Sequence, residues 1–267
     1  MPTADDRLAE VLADLNAEGD RVAELVAPLD DAGWRTPTPA EGWDVAHQVG
    51  HLAWTDEVAL LAATDQDGWD RVVNAAVADP DRFVDDAAAE AAATDHLTLL
   101  ERWLHGRKAL AAALDAHPPG QKIPWFGPPM SATSMATARF METWAHGLDV
   151  AEALGAVDEP TDRIRHVVHL GVRTRDFAFA TRGLDVPAAP FRVELEAPSG
   201  DVWTHGPEDA AQVVRGPAYH FCLLVTQRRH RADLDLAVTG AEADRWLDIA
   251  QAFAGPPGSG RPPGGNA

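Results

Sequence analysis

The sequence predicts an α+β fold: an N-terminal antiparallel four-helix bundle followed by a small α+β domain. Apolar residues recur at helical spacing through most of the chain up to Leu154. The period then shifts to strict alternation at Phe191-Arg192-Val193-Glu194-Leu195-Glu196. Between the two regimes stands Gly155, a residue suited to terminate a helix. These observations divide the chain into a bundle over residues 1–155, an α+β domain over 156–254 and a disordered Gly/Pro tail over 255–267.

The first helix runs from Thr3, its cap, to about Leu29, on the stripe Leu8, Val11, Leu12, Leu15, Val22, Leu25, Val26 and Leu29. A loop punctuated by Gly33, Pro37, Pro39 and Gly42 follows. The second helix runs from Asp44, its N-cap, to Thr64, and a short helix fits Trp69 to Val77. An Ala- and Leu-rich third helix, whole or broken, covers Asp85 to Ala116. The segment from His117 to Pro129 is rich in proline and glycine and reads as a long loop before the fourth helix, Ser131 to Leu154. Beyond Gly155 the pattern gives a helix from Thr161 to Arg182 and paired strands on either side of Pro198-Ser199-Gly200-Asp201. A short element over Gln212 to Arg215, a helix near Pro217 to Gln227, a strand near Leu234 to Thr239 and a helix from Ala241 to Phe253 complete the domain.

Of 267 residues, 46% are apolar and 24% charged, a globular composition. The net charge of −20 opposes phosphate backbones and anionic membrane surfaces, so the expected partner is a small molecule rather than nucleic acid or a membrane. No stretch approaches the roughly 18 uninterrupted apolar residues of a membrane span, and no segment reads as a signal peptide. The single cysteine, Cys222, has no internal disulfide partner and sits in an apolar helical context. A cytoplasmic monomer or homodimer is the expectation.

Two pairs of potential metal ligands lie four residues apart on predicted helices: His47 with His51, and Glu142 with His146. Residues at that spacing share one helix face, so each pair offers two ligands from one rigid element. The same spacings also arise from chance among 11 histidines, or from ordinary surface ion pairs. His47 fits three roles: a further ligand, a base behind the ligands, or a packing residue. Asp149, three after His146, and Asp56, five after His51, are candidates to orient an imidazole. Trp125, Phe126 and Ser131, at the entrance to the Glu142 helix, would line a cofactor or substrate pocket, or else pack on the bundle and cap the helix. Trp43, Trp54, Trp103 and Trp144 read as core. Arg228 and Arg229, in a basic run of an acidic chain, would bind an anionic group in catalysis or else form a solvated helix end.

Gly42-Trp43-Asp44-Val45, closed by His51-Leu52, resembles the second-helix signature of the DinB-like metalloprotein superfamily. More narrowly, it is similar to the N-terminal domain of the mycothiol-dependent maleylpyruvate isomerase type, and the resemblance extends over nearly the whole chain. The segments Trp125 to Ser131, Met141 to Gly147 and Ala252 to Gly258 resemble an uncharacterised actinobacterial branch of these proteins. The resemblance implies a divalent metal, zinc by preference, held by His51, Glu142 and His146, with mycothiol as the thiol cofactor. It implies an isomerase or S-transferase in which the metal activates a thiol for attack on a small electrophile. A zinc hydrolase or lyase without thiol, and a non-enzymatic metal-binding interaction protein, remain alternatives. Where the isomerases carry a polar Arg-Asn pair after the ligand histidine, this chain has Ala53, Trp54 and Thr55, which favours a bulkier or less polar substrate than maleylpyruvate.

Overall fold

The structure, a computed structural model, describes residues 3–157, 159–255, 257–258 and 260–264. The chain divides into two compact units, Met1–Asp158 and Glu159–Ala267.

The first unit is built on four long helices: α1 (Ala4–Val26), α3 (Val45–Thr64), α6 (His96–Asp115) and α7 (Ala132–Ala153). Helix α1 packs on α7 and α6, and α3 packs on α6 and α7. Three shorter helices join them: α2 (Asp31–Trp34), α4 (Gln66–Ala78) and α5 (Phe83–Ala92), the last lying against α3. The capping signals act as the sequence predicts. Thr3 accepts from Asp6 N, Asp44 from His47 N and Ser131 from Ser134 N, so each satisfies an orphan donor of its helix. The expected third helix breaks at residues 93–95, where Asp95 caps a new start. Trp34 drives the unpredicted α2, because one helical turn buries its ring to 1% exposure.

Among the described residues, this unit shows two apolar cores. One gathers Val22, Val26, Trp34, Val45, Val49, Leu52, Leu99, Trp103 and Val150; the other gathers Val11, Leu12, Val58, Trp69, Leu110, Leu114, Ile123 and Met135. Helix α3 contributes to both, which explains its lack of a polar face. Between the cores, α3 and α7 bury polar groups instead: His51, Thr55, Asp56, Arg139 and Thr143. That polar layer positions the site.

The second unit holds α8 (Arg165–Arg173), α9 (Arg175–Ala180), α10 (Ala218–Val225) and α11 (Ala241–Ile249) with a four-stranded sheet. Strands β1 (Phe191–Glu196), β2 (Val202–His205), β3 (Gln212–Pro217) and β4 (Ala237–Thr239) lie in the order β2-β1-β3-β4, with β1 and β3 parallel and the other pairs antiparallel. The alternation read in β1 is real: Phe191, Val193 and Leu195 are buried, while Glu194 takes Arg192 and Arg215 on the other face. The expected helix over Thr161 to Arg182 is instead a 3₁₀ turn followed by α8 and α9, broken at Thr174, whose hydroxyl bonds back to Leu170 O. Burial pushes the Cys222 thiol well above its ordinary range, in keeping with a core residue. In the tail, Gly258 O accepts from Arg182 and Gly264 N donates to Asp233, and the described residues of the segment carry no helix or strand. The expectation of disorder also covers Pro256, Ser259 and residues 265–267, which lie outside the described residues.

Candidate metal centre

Helix α3 starts at its Asp44 cap and presents His51 two turns in. Helix α7 presents Glu142 and His146 one turn apart on one face. The two helices bring these three side chains together. Glu142 Oε2 lies 3.2 Å from His146 Nε2 and 3.5 Å from His51 Nε2, and the three donor atoms fall within 4.8 Å of one another. The imidazole centroids are 4.4 Å apart. Zinc–nitrogen and zinc–oxygen bonds of about 2.0–2.1 Å set tetrahedral ligand edges of roughly 3.3–3.4 Å, so the observed separations suit three corners of such a shell. The donor set fits a divalent metal.

Burial works to raise the Glu142 carboxyl, but His146, His51 and the Arg139 guanidinium outweigh it and hold Glu142 well below the usual carboxylate range. Arg139 Nη2 is 3.9 Å from Glu142 Oε1, and its side chain is only 4% exposed. Gln48, fully buried on α3, places its Oε1 2.5 Å from His146 Nδ1. His51 Nδ1 is buried without a hydrogen-bond partner among the described residues.

His47 stands one turn before His51. Its Nδ1 is 2.7 Å from Asp44 Oδ1, and Arg35 reaches the other carboxylate oxygen at 3.3 Å. Burial tends to raise Asp44, yet the hydrogen bonds from His47 prevail and its carboxyl sits below the ordinary value. An ionised carboxylate can only accept, so Nδ1 carries a hydrogen toward Asp44 Oδ1, the shorter of its two contacts with that residue, Asp44 N standing 3.5 Å away. Among the described residues His47 does not join the three-residue cluster.

Of the four tryptophans expected in the core, Trp43 stands over the histidines instead, while Trp54 packs on the second core and also reaches the site. Trp103 and Trp144 are buried, but Trp43 and Trp54 are only partly so. Trp43 precedes the Asp44 cap, so it lies outside the helix and turns over the histidines. Its ring centroid is 5.5 Å from His51, 6.0 Å from His146 and 6.1 Å from His47. Trp54 meets His51 from one helical turn further on, at 6.1 Å.

The remaining expected site residues are distributed more widely. Ser131 caps α7. Trp125 stacks on Trp69 and lies 5.4 Å from the Arg139 guanidinium, while Phe126, 46% exposed, meets Trp69 and Phe83. Phe83 in turn contacts Trp54, so a chain of rings runs from this loop to His51. Arg228 and Arg229 belong to the second unit, after α10, where they donate to the carbonyls of Thr226 and Arg228. Asp149 and Asp56 are both buried. Gln48 escaped the sequence reading, which took Trp43 for a core residue; a glutamine inside the apolar run of α3 was a signal, because a buried amide requires partners.

Comparisons with known proteins agree with this architecture. A family model described as the mycothiol maleylpyruvate isomerase N-terminal domain matches residues 15–151, and one described as wyosine base formation matches residues 187–238. Uncharacterised proteins of two Mycobacterium tuberculosis strains, CDC 1551 and H37Rv, are each 58% identical over 250 residues, covering 94% of this chain and 97% of theirs. The crystal structure of the mycothiol-dependent maleylpyruvate isomerase superposes with a TM-score of 0.59, and that of its histidine-to-alanine mutant with 0.60. Both are 16% identical and cover 86% of this chain and 92% of theirs, a likeness of fold. The chain therefore belongs to the family defined by the mycothiol maleylpyruvate isomerase N-terminal domain.

Proposed function

We propose that the protein is a metal-dependent enzyme in which His51, Glu142 and His146 hold zinc and a thiol of the mycothiol type is the cosubstrate. The observation that carries this reading is the convergence of Glu142 Oε2 on the two histidine Nε2 atoms at 3.2 and 3.5 Å. Three protein ligands leave a position for an exchangeable group, the arrangement of catalytic rather than structural zinc. When bound, zinc supplies positive charge that lowers the pKa of a coordinated thiol, so that a thiolate exists near neutral pH. One anionic and two neutral ligands leave a net positive centre, which favours an anionic sulfur.

The protein's own groups do the rest. His47 Nε2, with Asp44 holding the opposite ring nitrogen, is the base that takes the thiol proton and later returns it. Trp43 and Trp54 flank the histidines and keep water from competing with the thiol. The substrate is a small electrophile that the thiolate attacks at carbon, giving isomerisation or S-transfer.

Metal content of purified wild type beside His51→Ala, Glu142→Ala and His146→Ala tests the centre. About one metal per chain, lost in each variant, is expected. A wild type that stays metal-free after zinc addition would overturn the reading. Titration of the loaded protein with mycothiol then separates the chemistries: perturbation of a cobalt-substituted spectrum supports thiol activation, whereas an unchanged spectrum with esterase or amidase turnover favours a zinc hydrolase.

A further inference from the structure

We infer that Gln48 and Thr38 form a positioning relay that fixes the tautomer of His146. The inference rests on the metal-site reading above and extends it to residues that touch no ligand. Its logic is a count of hydrogens. The Thr38 hydroxyl has one hydrogen and donates it to the carbonyl oxygen of Trp43 at 2.9 Å, an atom that can only accept. Thr38 Oγ1 must therefore accept from its other neighbour, Gln48, at 2.9 Å, so the amide nitrogen of Gln48 faces Thr38. The amide oxygen then faces His146 and lies 2.5 Å from Nδ1. An amide oxygen cannot donate, so Nδ1 bears a hydrogen, and Nε2, 3.2 Å from Glu142 Oε2, is the nitrogen left for the metal.

A backbone carbonyl thus selects, through two side chains, which nitrogen of His146 can bind metal. Among the described residues the Gln48 side chain bonds Thr38 and His146 alone; it is completely buried and its helix neighbours Val45, Ala46, Val49 and Leu52 are apolar. The same carbonyl belongs to Trp43, whose indole stacks on the His146 ring with an interplanar angle of 21°. One loop residue therefore anchors the relay and covers the ring it orients. A neutral amide, unlike a carboxylate, adds no negative charge behind the ligand. The centre keeps its net positive charge and its preference for an anionic sulfur.

The test compares wild type, Gln48→Leu, Gln48→Glu and Thr38→Val, each as the full chain. Long-range ¹H–¹⁵N spectra of the metal-free proteins, taken at a pH where the His146 ring is neutral, report its tautomer, assigned by loss of its signals in His146→Ala. Zinc affinity is measured by competition with a chromophoric chelator. Wild type and Gln48→Glu are expected to show a pure Nδ1–H tautomer, because a glutamate oxygen accepts as the amide oxygen does. Gln48→Leu is expected to show a tautomer mixture and a loss of zinc affinity on the order of 10–100-fold, with Thr38→Val between the two. Gln48→Leu that retains the pure tautomer and wild-type affinity would overturn the inference. So would Gln48→Glu losing the tautomer while remaining folded by circular dichroism. Failure of wild type itself to bind zinc strikes the metal-site reading instead, and the spectra of the metal-free proteins still decide the relay.

Discussion

Asp56 on α3 is 4% exposed, and burial pushes its carboxyl up to about 6 despite the opposing pull of nearby Arg139. Its ordinary value is 3.8. The folded state therefore binds the proton more tightly than the unfolded chain. The stability this contributes is complete below the unfolded value and falls as pH rises through the interval to about 6; above that, the cost of burying the charge is constant. A separation of about two units corresponds to roughly 3 kcal/mol in full. Between pH 7 and pH 5 the recoverable part is about 1.3 kcal/mol. Asp56→Asn removes the titration while keeping the shape. Urea unfolding of both metal-free proteins at pH 5, 6 and 7 should show wild type gaining about 1.3 kcal/mol relative to the variant as pH falls. Carboxyl ¹³C spectra should place the Asp56 midpoint near 6. A stability difference that is the same at pH 5 and pH 7, with an Asp56 midpoint near 4, would refute the argument, because burial could not then be outweighing Arg139 and the other partners in setting the affinity for the proton.

Two further predictions concern packing and surface charge. Gly50→Ala places a methyl 2.9 Å from Ala91 Cβ and 3.1 Å from Ala88 O, so α3 must move away from α5, and thermal unfolding should report a loss of about 1–3 kcal/mol. The paired Glu57 and Arg102 carry two 2.6 Å bonds but are each more than a third exposed, so Glu57→Gln should cost less than about 1 kcal/mol and less again in high salt; a loss beyond 2 kcal/mol would show a structural role that solvent screening does not permit.

Helical spacing made the ligand candidates legible. Glu142 and His146 lie one turn apart, and the helix that carries them begins at the serine cap the sequence offers. Spacing could not show that His51, about 90 positions earlier, meets them, because that depends on how α3 and α7 pack. The resemblance supplied this pairing, and the periodicity did not. The error over Trp43 has a local cause. Counted as a helical position it falls among apolar neighbours, yet Asp44 is the cap, so Trp43 precedes the helix and points by loop geometry rather than by the 3.6-residue period. Thr174 shows the same limit in the second unit, where a hydroxyl bonding back to the preceding turn divides a continuous apolar pattern into two helices.

The distribution of polarity along α3 and α7 argues that the site is retained against stability. Each helix is apolar where it enters the two cores and polar between them, and Asp56, Arg139 and Glu142 bring three ionisable groups into that layer. Buried ion pairs commonly lose to apolar side chains of the same volume by about 1–4 kcal/mol. A bundle held together only by packing would have no use for Arg139, whose Nε and Nη1 are buried without hydrogen-bond partners among the described residues. Its charge matters for a different reason: it helps hold Glu142 ionised, and an ionised Glu142 is the condition for the trio to act as a metal ligand set. If the layer were structural, replacing Arg139 and Asp56 together with Met and Leu would leave zinc affinity unchanged while stability holds or rises. If it serves the centre, the same double replacement holds or raises stability while weakening zinc binding, and only that opposition of the two effects identifies a site for which the fold gives up stability.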